Sequence, residues 1–399
     1  MKSIELYTEE IDDIEEAVKE ILTQAKDFEF KKNSMAILFA DEDLDYGELY
    51  KYLSREWSFP IIGCTALAML TGARGYVPSG IAILILSADD CEFSVGMTEE
   101  LNVNNFKEEI KKTYQQAQSK LSSREKLVIS YGGGVMEEED APGNEIVKAL
   151  TALGNREIPL FGACASDGFS FENFHVFCNG EITRKGQVMA LIAGNVNPHF
   201  VSINSVGDRA SFLYEITKAK SNIVYEIGNT PFIEAMKKEG MQVEKTNVLG
   251  DYILTPFVVT MEMPEGDKIE VTRNLSMLNH ETGAGVFMGN MPQGSTISIG
   301  LLNRGELKST VEEAFEIILK ELSKCEDKYE TLLCSSCCAR FIGLANNTSL
   351  EGDTYLGRLP KHISLIGMYG YGEYCPVTGK ETGRRYNMFH NFTFTILAL

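Results

Sequence analysis

Positive charge is scarce in this chain: 37 Lys and Arg stand against 57 Asp and Glu, a formal net charge of −20. A surface with that excess repels phosphate backbones and anionic headgroups, which removes the main attractive term for nucleic acids and acidic membranes. Long apolar runs are missing as well, and none approaches the roughly 20 residues that a membrane-spanning helix requires. Residues 1–32 lack the uninterrupted apolar segment that export needs. Ile11, Ile14, Val18, Ile21 and Leu22 are spaced instead for one face of an amphipathic helix, assigned to residues 1–30. Nine cysteines without an export segment point to reduced thiols in the cytoplasm, and an odd number cannot all pair. The five histidines are scattered, and Cys334-Ser-Ser-Cys337 has no second pair to complete a four-ligand zinc site. No metal and no cofactor are expected.

What is present is ordinary globular material: 399 residues, 44% hydrophobic and 24% charged, enough for two or three domains. Internal similarity is the most informative feature. Two β-rich runs joined by a short polar link recur at Gly80–Leu86 with Cys91–Met97, at Gly186–Ala193 with Phe200–Gly207, and at Gly283–Met288 with Thr296–Leu301. Such a pattern predicts antiparallel hairpins. A strand–helix–strand piece precedes the first two, with a shared Pro-x-x-Gly-x-x-Ala at Pro60–Ala66 and Pro159–Ala165, and recurs near the C-terminus at Thr331–Ser335 and Ile363–Tyr369. Four related β-α-β-β-β units therefore fit the chain, the third being the least regular. The expected fold is α+β, with mixed, largely antiparallel sheets packed face to face and helices on the outer faces. Two closely packed halves, residues 31–220 and 221–399, follow the N-terminal segment.

Several stretches carry possible chemistry. Gly132-Gly133-Gly134 follows a strand, but it lacks the Gly-Lys-Ser/Thr ending of a phosphate loop and runs into Glu137–Asp140; a turn or close backbone packing explains it better. Ser166 and Asp167 end a strand where small neighbours leave room for a ligand, although an Asp-Gly turn is the plainer reading. Ser166 has no Gly-x-Ser-x-Gly elbow, and spacing assigns it neither His175 nor His199. Cys334, Cys337 and Cys338 read as small buried residues, as pocket thiols, or as a redox pair. Arg340 could hold a ligand carboxylate, or it could pair with an acid or satisfy helix carbonyls. Tyr369-Gly-Tyr371-Gly-Glu373 mixes aromatic faces, hydroxyls and an acid around flexible backbone, as expected of a small-ligand recess, and His390 and Asn391 lie close enough to share it. A glycine bulge in an aromatic strand is the alternative.

Taken in order, Ile61-Ile-Gly-Cys-Thr-Ala, Leu160-Phe-Gly-Ala-Cys-Ala-Ser-Asp, Val176-Phe-Cys-Asn-Gly, Cys337-x-x-Arg340, Tyr371-Gly-Glu373 and His390-Asn391 resemble a FIST protein over most of residues 30–399. The resemblance implies N- and C-terminal FIST domains and a sensory role with a small ligand, such as an amino acid. Family members often carry fused output domains. No such segment is evident here, so the resemblance implies a separate signalling protein as partner. The expected ligand-binding set is Ser166, Asp167, Cys337, Arg340, Tyr369, Tyr371, Glu373, His390 and Asn391, with Arg340 on an acidic group and Glu373 or Asp167 on an amine. Two other readings stand beside it: an enzyme using Cys337 or Cys338 as nucleophile, and a scaffold whose acidic helices at 9–22 and 307–322 bind another protein.

Overall fold

The computed structural model describes residues 1–133, 142–244, 250–325 and 329–399; Gly134 and the acidic run Glu137–Asp140 lie outside the described residues. The chain is built from three corresponding units. Unit one runs β1 (Lys2–Thr8), α1 (Ile14–Ala25), β2 (Asn33–Ala40), α2 (Tyr46–Glu56), β3 (Ile61–Thr65), β4 (Met69–Thr71), β5 (Gly75–Val77) and β6 (Ile81–Ala88). Unit two repeats the order as β7 (Cys91–Met97), α3 (Phe106–Gln118), β8 (Glu125–Gly132), α4 (Pro142–Leu153), β9 (Leu160–Cys164), β10 (Val176–Cys178), β11 (Glu181–Thr183) and β12 (Gln187–Gly194).

Unit three opens with β13 (His199–Asn204) and is then interrupted. The insertion holds β14 (Asp208–Arg209), β15 (Tyr214–Lys220), β16 (Ile223–Ile227), β17 (Thr230–Pro231), α5 (Phe232–Lys238), α6 (Gly250–Ile253), β18 (Pro256–Glu262), β19 (Lys268–Asn279), β20 (Ala284–Phe287) and β21 (Thr296–Leu301). The unit resumes with α7 (Arg304–Leu322), β22 (Thr331–Cys337), α8 (Cys338–Leu344) and α9 (Leu350–Leu356). It ends with β23 (Ser364–Gly370), β24 (Glu373–Thr378), β25 (Arg385–His390) and β26 (Thr393–Ala398).

Each unit supplies one sheet and lends strands to the next. The sheets run β1-β6-β2-β3-β10-β11, β7-β12-β8-β9-β24-β25 and β13-β26-β22-β23-β4-β5. Each has one parallel pair, β2 with β3, β8 with β9 and β22 with β23, and is otherwise antiparallel. The small hairpin of every unit thus extends a neighbour's sheet, which ties the units into a cycle. Inner faces of all three sheets meet in one core that includes Ile37, Phe39, Leu84, Ile129, Phe161, Ala190, Leu333, Ile366 and Leu397. On the outer faces α1 and α2, α3 and α4, and α7 with α9 cover separate apolar clusters.

Three expectations need correction. None of the three supposed hairpins pairs with itself: β6 bonds β1 and β2 while β7 bonds β12, and β12 and β13 likewise part into different sheets. The Asp89-Asp90 link explains the first case, because neither residue takes the positive φ of a tight hairpin turn. Strand β6 is moreover buried at every position, which fits an interior strand of a covered sheet better than a half-exposed hairpin arm. Second, there are three units rather than four. The apparent third copy belongs to the insertion, where β21, β15, β16, β20, β19 and β18 close into an antiparallel ring. Phe232, Phe257 and Phe287 meet edge-on or tilted in its interior, with ring centroids 5.2–5.9 Å apart. Third, the helix read over residues 1–30 is confined to Ile14–Ala25, capped by Asp13, and Lys2–Thr8 is a strand. No helix among the described residues is long and apolar enough to cross a membrane.

The parallel pairs depend on glycine. A Cβ on Gly63 would fall inside the Leu38 carbonyl, and one on Gly162, at φ +147°, inside that of Ser130. Gly63→Ala and Gly162→Ala are therefore each expected to cost more than about 3 kcal/mol. Gly357→Ala, which points into open space at an ordinary φ, should leave the melting temperature unchanged or slightly raised. Melting curves of the three variants test the assignment of backbone contact.

Candidate functional site

The three corresponding strands β3, β9 and β23 end against one another. Their sequences align on Gly63, Gly162 and Gly367, which puts Thr65, Cys164 and Tyr369 in one equivalent position and Leu67, Ser166 and Tyr371 in another. Ser166 N–H donates to the Thr65 carbonyl, and Tyr371 N–H to that of Cys164, both at 3.2 Å. The third link of this cycle would join Leu67 N–H to the Tyr369 carbonyl. Ser166 makes it through its side chain, where Oγ accepts from Leu67 N–H at 2.9 Å and donates to the Tyr369 carbonyl. Ser166 is wholly buried with the Cys338 thiol beside it, so its hydroxyl is occupied as a structural bridge. His199 is bonded to Tyr329 instead.

Asp167, the next residue, organises a loop. Its carboxylate accepts from the amides of Phe171, Glu172 and Asn173 at 2.9–3.1 Å, from Ser170 Oγ at 2.7 Å, and from the Tyr371 hydroxyl. Burial alone would raise its pKa, but these bonds, that of Tyr371 foremost, hold it down to about 2. Phe169 and Phe171 take φ values of 68° and 58°, uncommon for aromatic residues, and close over Tyr371, with Phe171 stacked at 4.5 Å. Asp167 and Tyr371 thus satisfy each other.

Tyr369 and Arg340 lie elsewhere, in the layer between the third sheet and its helices. The Arg340 guanidinium is fully buried and paired with Glu351 of α9 at 2.7 Å; it also donates to Ser336 Oγ at 3.2 Å, to the Leu307 carbonyl at 3.1 Å, and to Ser205. Of the two readings open from sequence, the geometry is that of an arginine paired with an acid. It pins β22, α7 and α9 together.

Glu373, His390, Asn391 and Cys337 form a distinct group at the junction of β22 with α8, the start of β24 and the β25–β26 turn. Glu373 and His390 face each other across the strand pair. Glu373 is 0% exposed, and among the described residues neither carboxyl oxygen has a hydrogen-bond partner; the Cys337 thiol and the Thr393 amide approach without completing a bond of ordinary geometry. Burial pushes this acid well above the usual carboxylate range. Asn391 Oδ1 and Asn274 Oδ1 are also buried without a partner among the described residues. Burial lowers His390 to about 4, so the ring is neutral, with Nε2 2.9 Å from the Cys375 carbonyl. The Cys337 and Cys338 thiols are raised well above their ordinary range, the reverse of what an activated nucleophile requires. Among the described residues no group of three His, Cys, Asp or Glu side chains could hold a metal ion.

The nine expected residues are thus held in different hydrogen-bond sets, with Cys338 adjoining both Ser166 and Glu373, and Arg340 close enough to Glu373 to favour its charged form. Sequence reading missed Arg273 of β19, which is fully buried and held down to about 9 by desolvation. It donates to the carbonyls of Thr272, Phe389 and Asn290 at 2.9–3.2 Å, and no carboxylate lies within ion-pair distance among the described residues. The consecutive polar Thr272-Arg273-Asn274 inside an otherwise β-rich run was the available signal. Glu351 had none, because nothing in a spacing of eleven residues from Arg340 indicates contact.

The architecture is thus that of a cyclic three-unit α+β protein carrying a closed β insertion beside a buried polar group. Residues 34–230 match the FIST N domain and residues 237–376 the FIST C domain, so the chain belongs to the FIST family, whose domains are sensory domains of signal transduction. No curated protein matches the chain.

Two groups in this cluster pull stability in opposite directions. His390 is depressed when folded, so its contribution is complete above the ordinary histidine range near 6.5 and is lost as pH falls through about 4, roughly 3 kcal/mol in all. Glu373 is raised when folded, so its contribution is complete below about 4.5 and is lost as pH rises toward the folded value. Glu373→Gln should match wild-type stability near pH 4 and exceed it near pH 8, while His390→Gln should flatten the acid limb; denaturant titrations across that range check both. Arg340→Ala should cost about 3–5 kcal/mol by stranding the Glu351 charge, measurable in the same titrations.

Proposed function

We propose that the protein is a small-molecule sensor whose ligand carries an amine, an amino acid or a related metabolite, received at Glu373. The observation that supports this reading is a fully buried carboxyl group with neither oxygen hydrogen-bonded among the described residues. An orphaned buried acid is costly, and native interiors leave few such groups unless something else fills the vacancy. Asn391 Oδ1 and Asn274 Oδ1, also buried and unpartnered among the described residues, are acceptors too, so the complementary ligand is a donor. An ammonium group entering here would favour the ionised carboxylate, so Glu373 would release its proton to solvent and form a buried ion pair.

Arg340, expected to hold an acidic end of the ligand, is already neutralised by Glu351. Arg273 suits that role better. It has no acid partner among the described residues, and it bonds the carbonyl of Phe389, next along β25 from His390, the cross-strand partner of Glu373. A ligand with an amine and a carboxylate would then bridge β24 of unit three and β19 of the insertion. Its binding would pull on their relative placement and so offer a separate signalling protein a changed surface.

The test is thermal stability of the purified protein with the amino acids and their decarboxylated amines. At about 100 times its Kd a true ligand adds about 2.7 kcal/mol. The expected result is a stabilising compound whose effect disappears in Glu373→Gln and shrinks in Arg273→Met when its carboxylate is present. No stabilisation by any compound, or one that Glu373→Gln leaves intact, would count against the proposal.

A further inference from the structure

A second group of reactive side chains lies away from Glu373, in a cleft of about 370 Å³ between the end of α7, β13 and the β24–β25 pair. Cys325, just past α7, places Sγ 3.7 Å from His199 Nε2 and 3.5 Å from the Glu321 carbonyl. His199 Nδ1 stands 3.7 Å from Glu321 Oε2. The Tyr329 hydroxyl donates to the Asn197 carbonyl at 3.1 Å, so its oxygen is the acceptor in the 2.9 Å contact with His199 Nε2. Nε2 therefore carries its hydrogen and presents it to the sulfur as well, while the thiol hydrogen points to the helix carbonyl. Lone pairs on Sγ thus face a donor whose own far side faces an acid.

The rest of the cleft adds recognition. Lys324 and Arg385 line it, both exposed and without an ion pair among the described residues; the Arg385 guanidinium sits 5.6 Å over the Phe200 ring, which forms a wall with Pro376 and Thr378. In a chain with a net charge of −20, a cleft whose lining holds Lys324 and Arg385 against the single acid Glu321 is a local inversion of sign. The other cysteines do not compete. Cys164 alone shares half-exposure with Cys325, and its sulfur is bonded to the Tyr374 hydroxyl at 3.2 Å and pushed up to about 12 by burial; the remaining seven are buried.

We propose that Cys325 is a thiol–disulfide exchange site for small anionic disulfides. Cys325 loses its proton, and the thiolate, steadied by His199 Nε2–H, attacks one sulfur of the incoming disulfide. A sulfur–sulfur bond forms at Cys325 as the original one breaks. The displaced thiolate leaves with the electron pair and takes up a proton from solvent, which balances the one released. The disulfide is reduced, Cys325 is oxidised to the mixed disulfide, and a small thiol reverses the step. Lys324 and Arg385 hold the carboxylates of the entering molecule. This site is independent of Glu373.

The experiment is intact-protein and peptide mass spectrometry during exposure to oxidised glutathione, which is anionic, or cystamine, which is cationic. Wild type should gain one adduct, on Cys325, and Cys325→Ser should gain none while keeping its melting temperature. His199→Gln should slow adduct formation roughly tenfold, as loss of a hydrogen bond to a charged sulfur implies. Oxidised glutathione should outpace cystamine by roughly fivefold at low salt, and the advantage should vanish in the Lys324→Ala/Arg385→Ala double variant. An adduct on a different cysteine, no adduct at all, unchanged kinetics in His199→Gln, or equal rates with the two disulfides in wild type would overturn the proposal.

Discussion

One hydroxyl closes the cycle on which this structure rests. Two of the three contacts between corresponding strand ends are plain backbone hydrogen bonds, and Ser166 supplies the third by accepting from Leu67 and donating to Tyr369. Leu67, Ser166 and Tyr371 are positional equivalents, yet only a small side chain with both a donor and an acceptor can bridge two backbone groups. Thr65, Ser166 and Tyr369 are buried where the strands meet, so an unmade link would leave the Tyr369 carbonyl without a partner. The cyclic lending of hairpins between sheets reinforces the same junction, since each unit is incomplete without its neighbour's strands.

A cyclic core of this kind determines where polar groups can go. Side chains leaving the strand ends are buried by the other units, and each must find a partner close by. Asp167 finds Tyr371 and a run of amides, and Arg340 finds Glu351. Glu373 completes no hydrogen bond of ordinary geometry among the described residues, which separates it from these two. The closed insertion matters for the same reason. It enters unit three after β13 and lays β19 against the β25–β26 turn, where Thr272 bonds the Asn391 carbonyl and Arg273 reaches Phe389. The boundary between the matched FIST N and FIST C domains falls within this insertion rather than between units.

Much of this was legible from residues alone. The Pro-x-x-Gly-x-x-Ala match at Pro60 and Pro159 marks two of the three corresponding strands, and its glycines are the ones that backbone contact demands. The 3.6-residue stripe of Val311, Ala314, Phe315 and Ile318 marks the buried face of α7. Strand pairing was less accessible. Adjacent β-rich runs predict a hairpin only if the link can turn back, and Asp89-Asp90 carries the chain into another sheet. The apparent third copy misled for a related reason: β20 and β21 have the composition of the repeat but belong to a ring closed by partners distant in sequence.

Local chemistry, then, was the sequence's to decide: which segments become strands and helices, which glycines admit close backbone, which side chains are able to carry charge or a thiol. Those properties follow from backbone sterics and apolar periodicity within a few residues. Pairing was decided only by the tertiary structure. Arg340 meets Glu351, Cys325 meets His199 across 126 residues, and Glu373 completes no hydrogen bond of ordinary geometry among the described residues. Burial and partnership depend on which distant segments arrive at the same place, and spacing along a chain carries no record of that.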